Sequence, residues 1–81
     1  MAKRAFILIE VAVGRSKEVA SALRQIEGVK EADTVTGPYD VIATVEGETL
    51  NDIGDLVFKI RLVAGISRRV TCLVLETSRE D

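Results

Sequence analysis

Few side chains in this sequence could carry out covalent chemistry. The candidate nucleophiles are four serines and one cysteine: Ser16, Ser21, Ser67, Ser78 and Cys72. None of them can be activated by an imidazole, because the chain contains no histidine. One cysteine without histidine cannot build a zinc site or an internal disulfide. Glycine-rich phosphate-binding motifs are also missing. The sequence therefore predicts no enzyme activity, no catalytic residue, no metal and no cofactor.

The charged residues offer two weak candidates for a site. In the expected sheet region, Glu10 and Asp40 are the two carboxylates that are candidates for an acid and base pair. A lone Glu10 on a sheet face is more typical of a polar contact within an interface. Arg61, Arg68 and Arg69 are expected to cluster near the last turn of the second helix. There they would complement the helix dipole, with anion binding as the alternative.

The best candidate for a binding site is the turn formed by Thr36, Gly37, Pro38, Tyr39 and Asp40. A turn of this composition can offer backbone N–H groups, an aromatic wall and a carboxylate that pairs with an ammonium group. Those groups match the needs of a free amino acid. The simpler interpretation is an ordinary turn, in which Tyr39 packs on the sheet edge and Asp40 bonds to the turn backbone.

The elements that must position this turn follow from hydrophobic spacing and turn residues. We predict strands over 5–13, 29–36, 41–45 and 67–76, a first helix from a Ser16 cap to Gly28, a second helix from a Thr49–Asp52 capping box to Ala64-Gly65, and a polar tail over 77–81. The order β-α-β-β-α-β predicts a ferredoxin-like α+β sandwich. In that fold one antiparallel four-stranded sheet carries both helices on one face.

Two of the predicted strands are apolar on both faces. In the first, Ile7, Ile9, Val11 and Val13 would face the helices, while Phe6 and Leu8 face away. In the fourth, Val70, Cys72 and Val74 alternate with Leu73 and Leu75. Since two helices can cover only one face, we expect a second copy of the chain to cover the other. The residues predicted for this dimer interface are Phe6, Leu8, Glu10, Val70 and Cys72. Cys72 itself is expected to be a small apolar filler of an inner strand.

Length and charge support self-association and argue against other partners. A chain of 81 residues is expected to form a single domain over 1–81, with a small core that oligomerisation would reinforce. A net charge of −2, from 11 basic and 13 acidic residues, gives no basic surface for direct nucleic-acid binding.

No apolar stretch approaches the roughly 20 residues of a membrane span. A signal peptide is not expected either, because Glu10 breaks the first apolar run. The expected location is the cytoplasm.

The sequence around the candidate turn resembles a known family. The run VKEADTVTGPYDVIATVEG, a capped helix and then LVAGISRRVTCLVL are similar to the effector domain, called RAM, of the Lrp/AsnC transcription regulators. Gly37, Tyr39 and Asp40 match the family's Gly-x-(Tyr/Phe)-Asp turn. Gly65-Ile66 matches its Pro-Gly-Val-like step, with Ala64 where proline is common. The resemblance covers about residues 5–76.

The resemblance implies a ferredoxin-like fold whose copies pair sheet to sheet, with dimers assembling into rings of eight or ten chains. It also implies a small effector, usually an amino acid, bound between dimers. The effector residues would be Thr36, Gly37, Pro38, Tyr39, Asp40, Thr71, Cys72 and Leu73. The family's N-terminal helix-turn-helix is missing from this sequence, so we expect a stand-alone effector domain that acts as an independent sensor or joins full-length relatives.

Three alternatives remain open at this point. An ACT-type domain shares the element order and would bind an amino acid near Gly14-Arg15-Ser16. A small dimeric α+β-barrel monooxygenase is disfavoured by the missing histidine and by the scarcity of polar groups on the sheet face. A structural assembly subunit without any ligand is the third.

Overall fold

A computed structural model describes residues 2–75 of the chain. Its elements, in chain order, are β1 (Lys3–Val11), α1 (Ser16–Arg24), β2 (Val29–Thr34), β3 (Val41–Gly47), α2 (Leu50–Arg61) and β4 (Ile66–Leu73). This is the predicted β-α-β-β-α-β order. The predicted end of the fourth strand at Glu76 and the tail over 77–81 lie outside the described residues.

The four strands form one antiparallel sheet in the order β2-β3-β1-β4. Alternation along β1 separates the two faces, because Ala5, Ile7 and Ile9 are fully buried whereas the residues between them are only half-buried. The buried face packs against both helices. The core members are Ala5, Ile7, Ile9, Val19, Ala20, Leu23, Ala32, Val41, Ala43, Val45, Ile53, Leu56 and Ile60. The ferredoxin-like prediction, with both helices on one face, is confirmed.

The two helices begin differently. Thr49 is the N-cap of α2: its side chain accepts a hydrogen bond from the Asp52 N–H, and the Asp52 carboxylate accepts one from the Thr49 N–H, each at 3.1 Å. This reciprocal arrangement is the predicted capping box. Ser16, in contrast, is the first helical residue of α1, and the N-cap is Arg15, which makes no side-chain cap. The prediction of a Ser16 cap is wrong.

Several strands and helices end at other residues than predicted, in one case because a backbone N–H forms a hydrogen bond outside the expected element. β1 ends at Val11, since the Ala12 N–H donates to the Gly65 carbonyl at 2.8 Å. Val13 therefore leaves the sheet and is fully exposed rather than part of the core. Both helices stop before their glycines, at Arg24 and Arg61.

β4 is an edge strand, and this overturns one expectation about its cysteine. Cys72 was predicted to fill space in an inner strand, but it is an exposed free thiol. Its register partner is Phe6 of β1, so its side chain shares the face that the helices leave open.

Candidate functional site

The candidate turn connects β2 to β3 at one end of the sheet. The Val35 N–H donates to the Asp40 carbonyl at 2.9 Å, which closes the loop on itself. Thr36, Gly37 and Pro38 are exposed at its tip, and Gly37 has a φ of +109°, which favours glycine. A Cβ at Gly37 would meet no atom within 4 Å, so the backbone there is open to an approaching ligand. Tyr39 is half-buried.

Asp40 ties this turn to the centre of the sheet. Its N–H donates to the Ile9 carbonyl at 2.8 Å, and its Oδ2 accepts a hydrogen bond from the Val11 N–H at 2.9 Å. The carboxylate therefore takes the place of a main-chain acceptor at the end of β1. A carboxylate can accept several hydrogen bonds, so this contact leaves capacity for a further donor. Part of the role of Asp40 is thus structural.

The register of β4 separates the two halves of the predicted effector site. Thr71 pairs with Ile7 and Leu73 with Ala5, whereas the turn lies beyond Ile9, at the other half of β1. In addition, β1 lies between β3 and β4 in the sheet. One chain therefore does not bring Thr71, Cys72 and Leu73 beside the turn. A site that uses both sets of residues needs two chains.

Neighbouring residues of β4 also point to opposite faces. Cys72 shares the open face with Phe6, while Thr71 and Leu73 share the helix face with Ile7 and Ala5. A small ligand on one side of the sheet could contact either set, not all three residues.

The residues predicted for a dimer interface do lie together on the sheet face that the helices leave uncovered. Phe6 sits between Thr44 and Cys72, and Leu8 sits between Ile42 and Val70. We call Phe6, Leu8, Ile42, Val70 and Cys72 the open face. Its five side chains are all at least partly accessible.

Charged residues border the open face. At one end, Glu10 and Arg68 are register partners and approach to 3.5 Å through Oε2 and Nη1. At the other end, the Arg4 guanidinium carbon lies 5.8 Å from the centre of the Phe6 ring. An apolar centre with a charged rim is the usual anatomy of a protein interface.

Sequence reasoning missed one residue of the open face and wrongly grouped three arginines. Ile42 belongs to the open face and was not among the predicted interface residues. Ile42 could have been predicted from the alternation Val41-Ile42-Ala43, since neighbouring residues of a strand point to opposite faces of the sheet. The expected basic cluster is wrong. Arg68 lies on the open face, Arg69 pairs with Ile9 and so lies on the helix face, and Arg61 ends α2.

A separate acidic groove of about 320 Å³ lies at the opposite end of the sheet from the turn. Its lining residues are Glu27, Gly28, Glu46, Gly47, Asp52, Asp55, Leu56 and Lys59. Within residues 2–75, no three acidic or cysteine side chains are grouped closely enough to hold a metal ion. No helix in this part of the chain is long and apolar enough to cross a membrane.

Sheet order, helix placement and the turn together define a ferredoxin-like domain of the RAM type. The family model described as the Lrp/AsnC ligand binding domain matches residues 4–81. The chain belongs to this family, as its turn and final strand predicted.

Curated relatives include both regulators and an enzyme. The chain is 33% identical over 76 residues to the HTH-type transcriptional regulator FL11 of Pyrococcus abyssi, covering 94% of this chain and 50% of that protein. It is 38% identical over 58 residues to a homocitrate synthase of Sulfurisphaera tokodaii, covering 72% of this chain but 13% of the enzyme. The chain thus spans about half the length of the curated regulators that it matches.

Solved structures share the fold over nearly the whole chain. TTHA0845 of Thermus thermophilus superposes with a TM-score of 0.90 at 29% identity, covering 96% of this chain and 99% of that one. FFRP-DM1 superposes with a TM-score of 0.84 at 38% identity, covering 90% and 99%. A feast or famine regulatory protein of M. tuberculosis, solved with L-methionine, has a TM-score of 0.77 at 25% identity, covering 98% and 54%.

Proposed function

We propose that this chain is an amino-acid-sensing regulatory module whose effector site is completed between copies. One copy would supply the turn Thr36–Asp40, and another would supply β4, either through Thr71 and Leu73 on its helix face or through Cys72 on its open face. The observation that carries this proposal is the geometry of the turn. Its tip is exposed, Gly37 leaves the backbone open, and Asp40 is fixed in place by β1 while keeping acceptor capacity.

The chemistry of the turn suits a free amino acid. The Asp40 carboxylate can accept a hydrogen bond from the α-ammonium group, and exposed N–H groups at the tip can donate to the α-carboxylate. A charge-assisted hydrogen bond of this kind contributes about 1.5–3 kcal/mol. The relative from M. tuberculosis that was solved with L-methionine supports the choice of ligand class.

The open face supports the assembly that this site requires. Its apolar side chains are cross-strand neighbours in the middle of the sheet, so a second copy could bury them as one continuous patch. The partners we propose are therefore other copies of the chain, in a dimer or in a ring of eight or ten chains, together with longer Lrp/AsnC regulators. Because the curated relatives include transcriptional regulators, which act on DNA, we propose the cytoplasm as the location.

We also propose that the module is not itself catalytic. The homocitrate synthase shares similarity with this chain over a region that is 13% of its own length. Such a region is far too short to contain a whole enzyme. It is consistent with a regulatory domain appended to the enzyme, which would extend the same sensing role to metabolic proteins.

Native mass spectrometry and calorimetry with each of the twenty amino acids would test the sensing role. We expect at least one amino acid to bind and to stabilise the assembly, because a ligand that touches two chains favours the associated state. Asp40→Asn should weaken binding about 10- to 150-fold, because it removes a charge-assisted hydrogen bond that contributes about 1.5–3 kcal/mol. Glu48→Gln, which removes an exposed charge far from the turn, is the matched control.

Two results would contradict the proposal. If no amino acid binds at millimolar concentration, the chain is an assembly subunit without this ligand. If an amino acid binds but Asp40→Asn and Glu48→Gln bind it as well as the wild type, the site lies elsewhere.

A further inference from the structure

Helix α2 presents a row of apolar residues to solvent. Leu50, Gly54, Phe58 and Leu62 follow one another at intervals of four residues, which places them along one side of the helix. We call these four residues the outer ridge. Its three large side chains, those of Leu50, Phe58 and Leu62, are 57%, 56% and 69% exposed. Since the core uses the opposite side of the helix, the outer ridge is an apolar surface without a partner in the chain.

Gly54 makes a gap in the outer ridge. A glycine inside a helix lowers its stability by about 1 kcal/mol relative to alanine. Nothing among the described residues requires glycine there, because its φ is not positive and an added Cβ would meet no atom within 4 Å. An open gap of this kind lets a large side chain of a partner reach the helix backbone.

The acidic groove adjoins the outer ridge. Asp55 lines the groove and lies three residues before Phe58, so the two are neighbours on the helix surface. The charged residues that line the groove are Glu27, Glu46, Asp52, Asp55 and Lys59. None of these five forms an ion pair with another described residue. Four carboxylates therefore face one ammonium group, and the groove keeps a net negative charge.

The charge on the two flanks of the outer ridge specifies which partner fits. Asp55 lies on one flank, and Arg61, whose guanidinium carbon is 5.8 Å from the centre of the Phe58 ring, lies on the other. A complementary surface therefore has an apolar centre and a basic flank on the groove side. A second copy offers less. Two antiparallel α2 helices would set acidic flank against acidic flank, and α1 exposes no large apolar side chain.

We infer that the outer ridge and the acidic groove together dock a basic amphipathic helix of another protein. The apolar row of that helix packs along the outer ridge, which is about 18 Å long from Leu50 to Leu62. One large apolar side chain enters the gap at Gly54, beside Phe58. Lysine or arginine side chains of the partner reach into the groove, where the carboxylates of Glu46 and Asp55 accept their hydrogen bonds.

This surface is separate from the contacts of the proposed function. Those contacts use the open face, the turn Thr36–Asp40 and β4, and they include no residue of the outer ridge or of α2. The open face lies on the other side of the sheet from the helices. The partner helix can therefore bind a chain that is already associated with other copies, whether or not an amino acid is bound.

Fluorescence anisotropy with a labelled peptide tests the inference directly. The probe is a helix-forming peptide of about 16 residues, made of leucine and lysine so that the leucines form one face of the helix. We expect saturable binding to the wild type with a Kd below about 100 µM. The same peptide with glutamate in place of lysine should bind at least about tenfold more weakly.

Variants of the protein locate the binding surface. Phe58→Ser should weaken binding of the lysine peptide about tenfold or more, because it removes the largest side chain of the outer ridge. Val13→Ser removes an apolar side chain that is also exposed, but outside the surface, and should leave binding unchanged. Asp55→Lys should weaken binding about tenfold. Glu31→Lys is its matched control, because it makes the same change of charge at an exposed position of β2.

Gly54→Gln distinguishes a docking contact from a general loss of stability. Glutamine favours the helix over glycine, so the Tm of the fold should rise, while the filled gap should weaken peptide binding. Circular dichroism confirms that each variant is folded. The inference is overturned if the lysine peptide shows no saturable binding at about 100 µM, if Phe58→Ser or Gly54→Gln binds it as well as the wild type, or if Glu31→Lys weakens binding as much as Asp55→Lys.

Discussion

The carboxylate of Asp40 accepts a hydrogen bond from the backbone N–H of Val11, 29 positions earlier in the chain. This contact occurs where the pairing of β1 with β4 becomes irregular, between Glu10 and Val11. A side chain from the candidate site thus satisfies a main-chain donor at the end of the central strand. The position of the turn is therefore set by the core of the sheet as well as by its own residues.

Asp40→Ala and Asp40→Asn should show whether the acceptor oxygen or the charge of Asp40 holds the Val11 N–H. Alanine leaves the Val11 N–H without its partner, so the free energy of unfolding should fall by about 1–3 kcal/mol. Asparagine keeps a carbonyl oxygen in the same place and should lose about 1 kcal/mol or less. Urea denaturation monitored by circular dichroism measures both values. Equal losses in the two variants would show that the charge, rather than the acceptor, holds Val11.

The N-terminus of α2 gives a second stability prediction. Thr49→Ala removes the oxygen that accepts the Asp52 N–H and should lower the free energy of unfolding by about 1 kcal/mol. Thr49→Ser keeps this acceptor and is the matched control, with no loss expected because serine is at least as good an N-cap as threonine. Thermal and urea unfolding of the three proteins would measure the difference. A loss in Thr49→Ser equal to that in Thr49→Ala would mean that the hydroxyl has no capping role.

Local patterns were sufficient to predict most of the fold. The alternation of Ile7 and Ile9 with Phe6 and Leu8 correctly assigned the two faces of β1, because side-chain direction in a strand depends only on position parity. The spacing of Thr49 and Asp52 likewise predicted the start of α2. Both patterns act over a few residues and need no knowledge of the tertiary structure.

Other features depend on contacts between distant segments, and the sequence did not reveal them. Cys72 was misplaced because composition does not tell an edge strand from an inner one. Val13 was misplaced because the Ala12 N–H bonds to Gly65, more than fifty residues away. The sequence also did not reveal the strand register, which places Thr71 opposite Ile7 and away from the turn. Pairing between strands follows from the whole sheet, not from any local pattern.

The chain alone should not bind duplex DNA with sequence preference. Its net charge is −2, so few phosphates could be neutralised. The exposed side of α2 carries Phe58 and Leu62 rather than a row of basic, base-reading side chains. Fluorescence anisotropy with labelled duplexes at 50 and 200 mM salt would test this prediction. Binding that persists at the higher salt and depends on sequence would contradict it.

The open face should be the surface through which the chain dimerises. Leu8 is its central residue, with Ile42 on one side and Val70 on the other. In a sheet-to-sheet dimer, Leu8→Glu would bury a charge without a partner, which costs several kcal/mol. A cost of about 3 kcal/mol raises the Kd of this contact about 150-fold. Because the face is open within one chain, the glutamate can reach solvent in the dissociated form, and the fold itself should persist.

Sedimentation velocity across a range of concentrations, with circular dichroism to confirm folding, measures this change. Val13→Glu is the matched control, because it introduces the same charge at a fully exposed position outside the sheet. It should keep the wild-type assembly. Leu8→Glu should give a smaller, folded species than the wild type at the same concentration. A Leu8→Glu protein of the same size as Val13→Glu would place the interface on another surface.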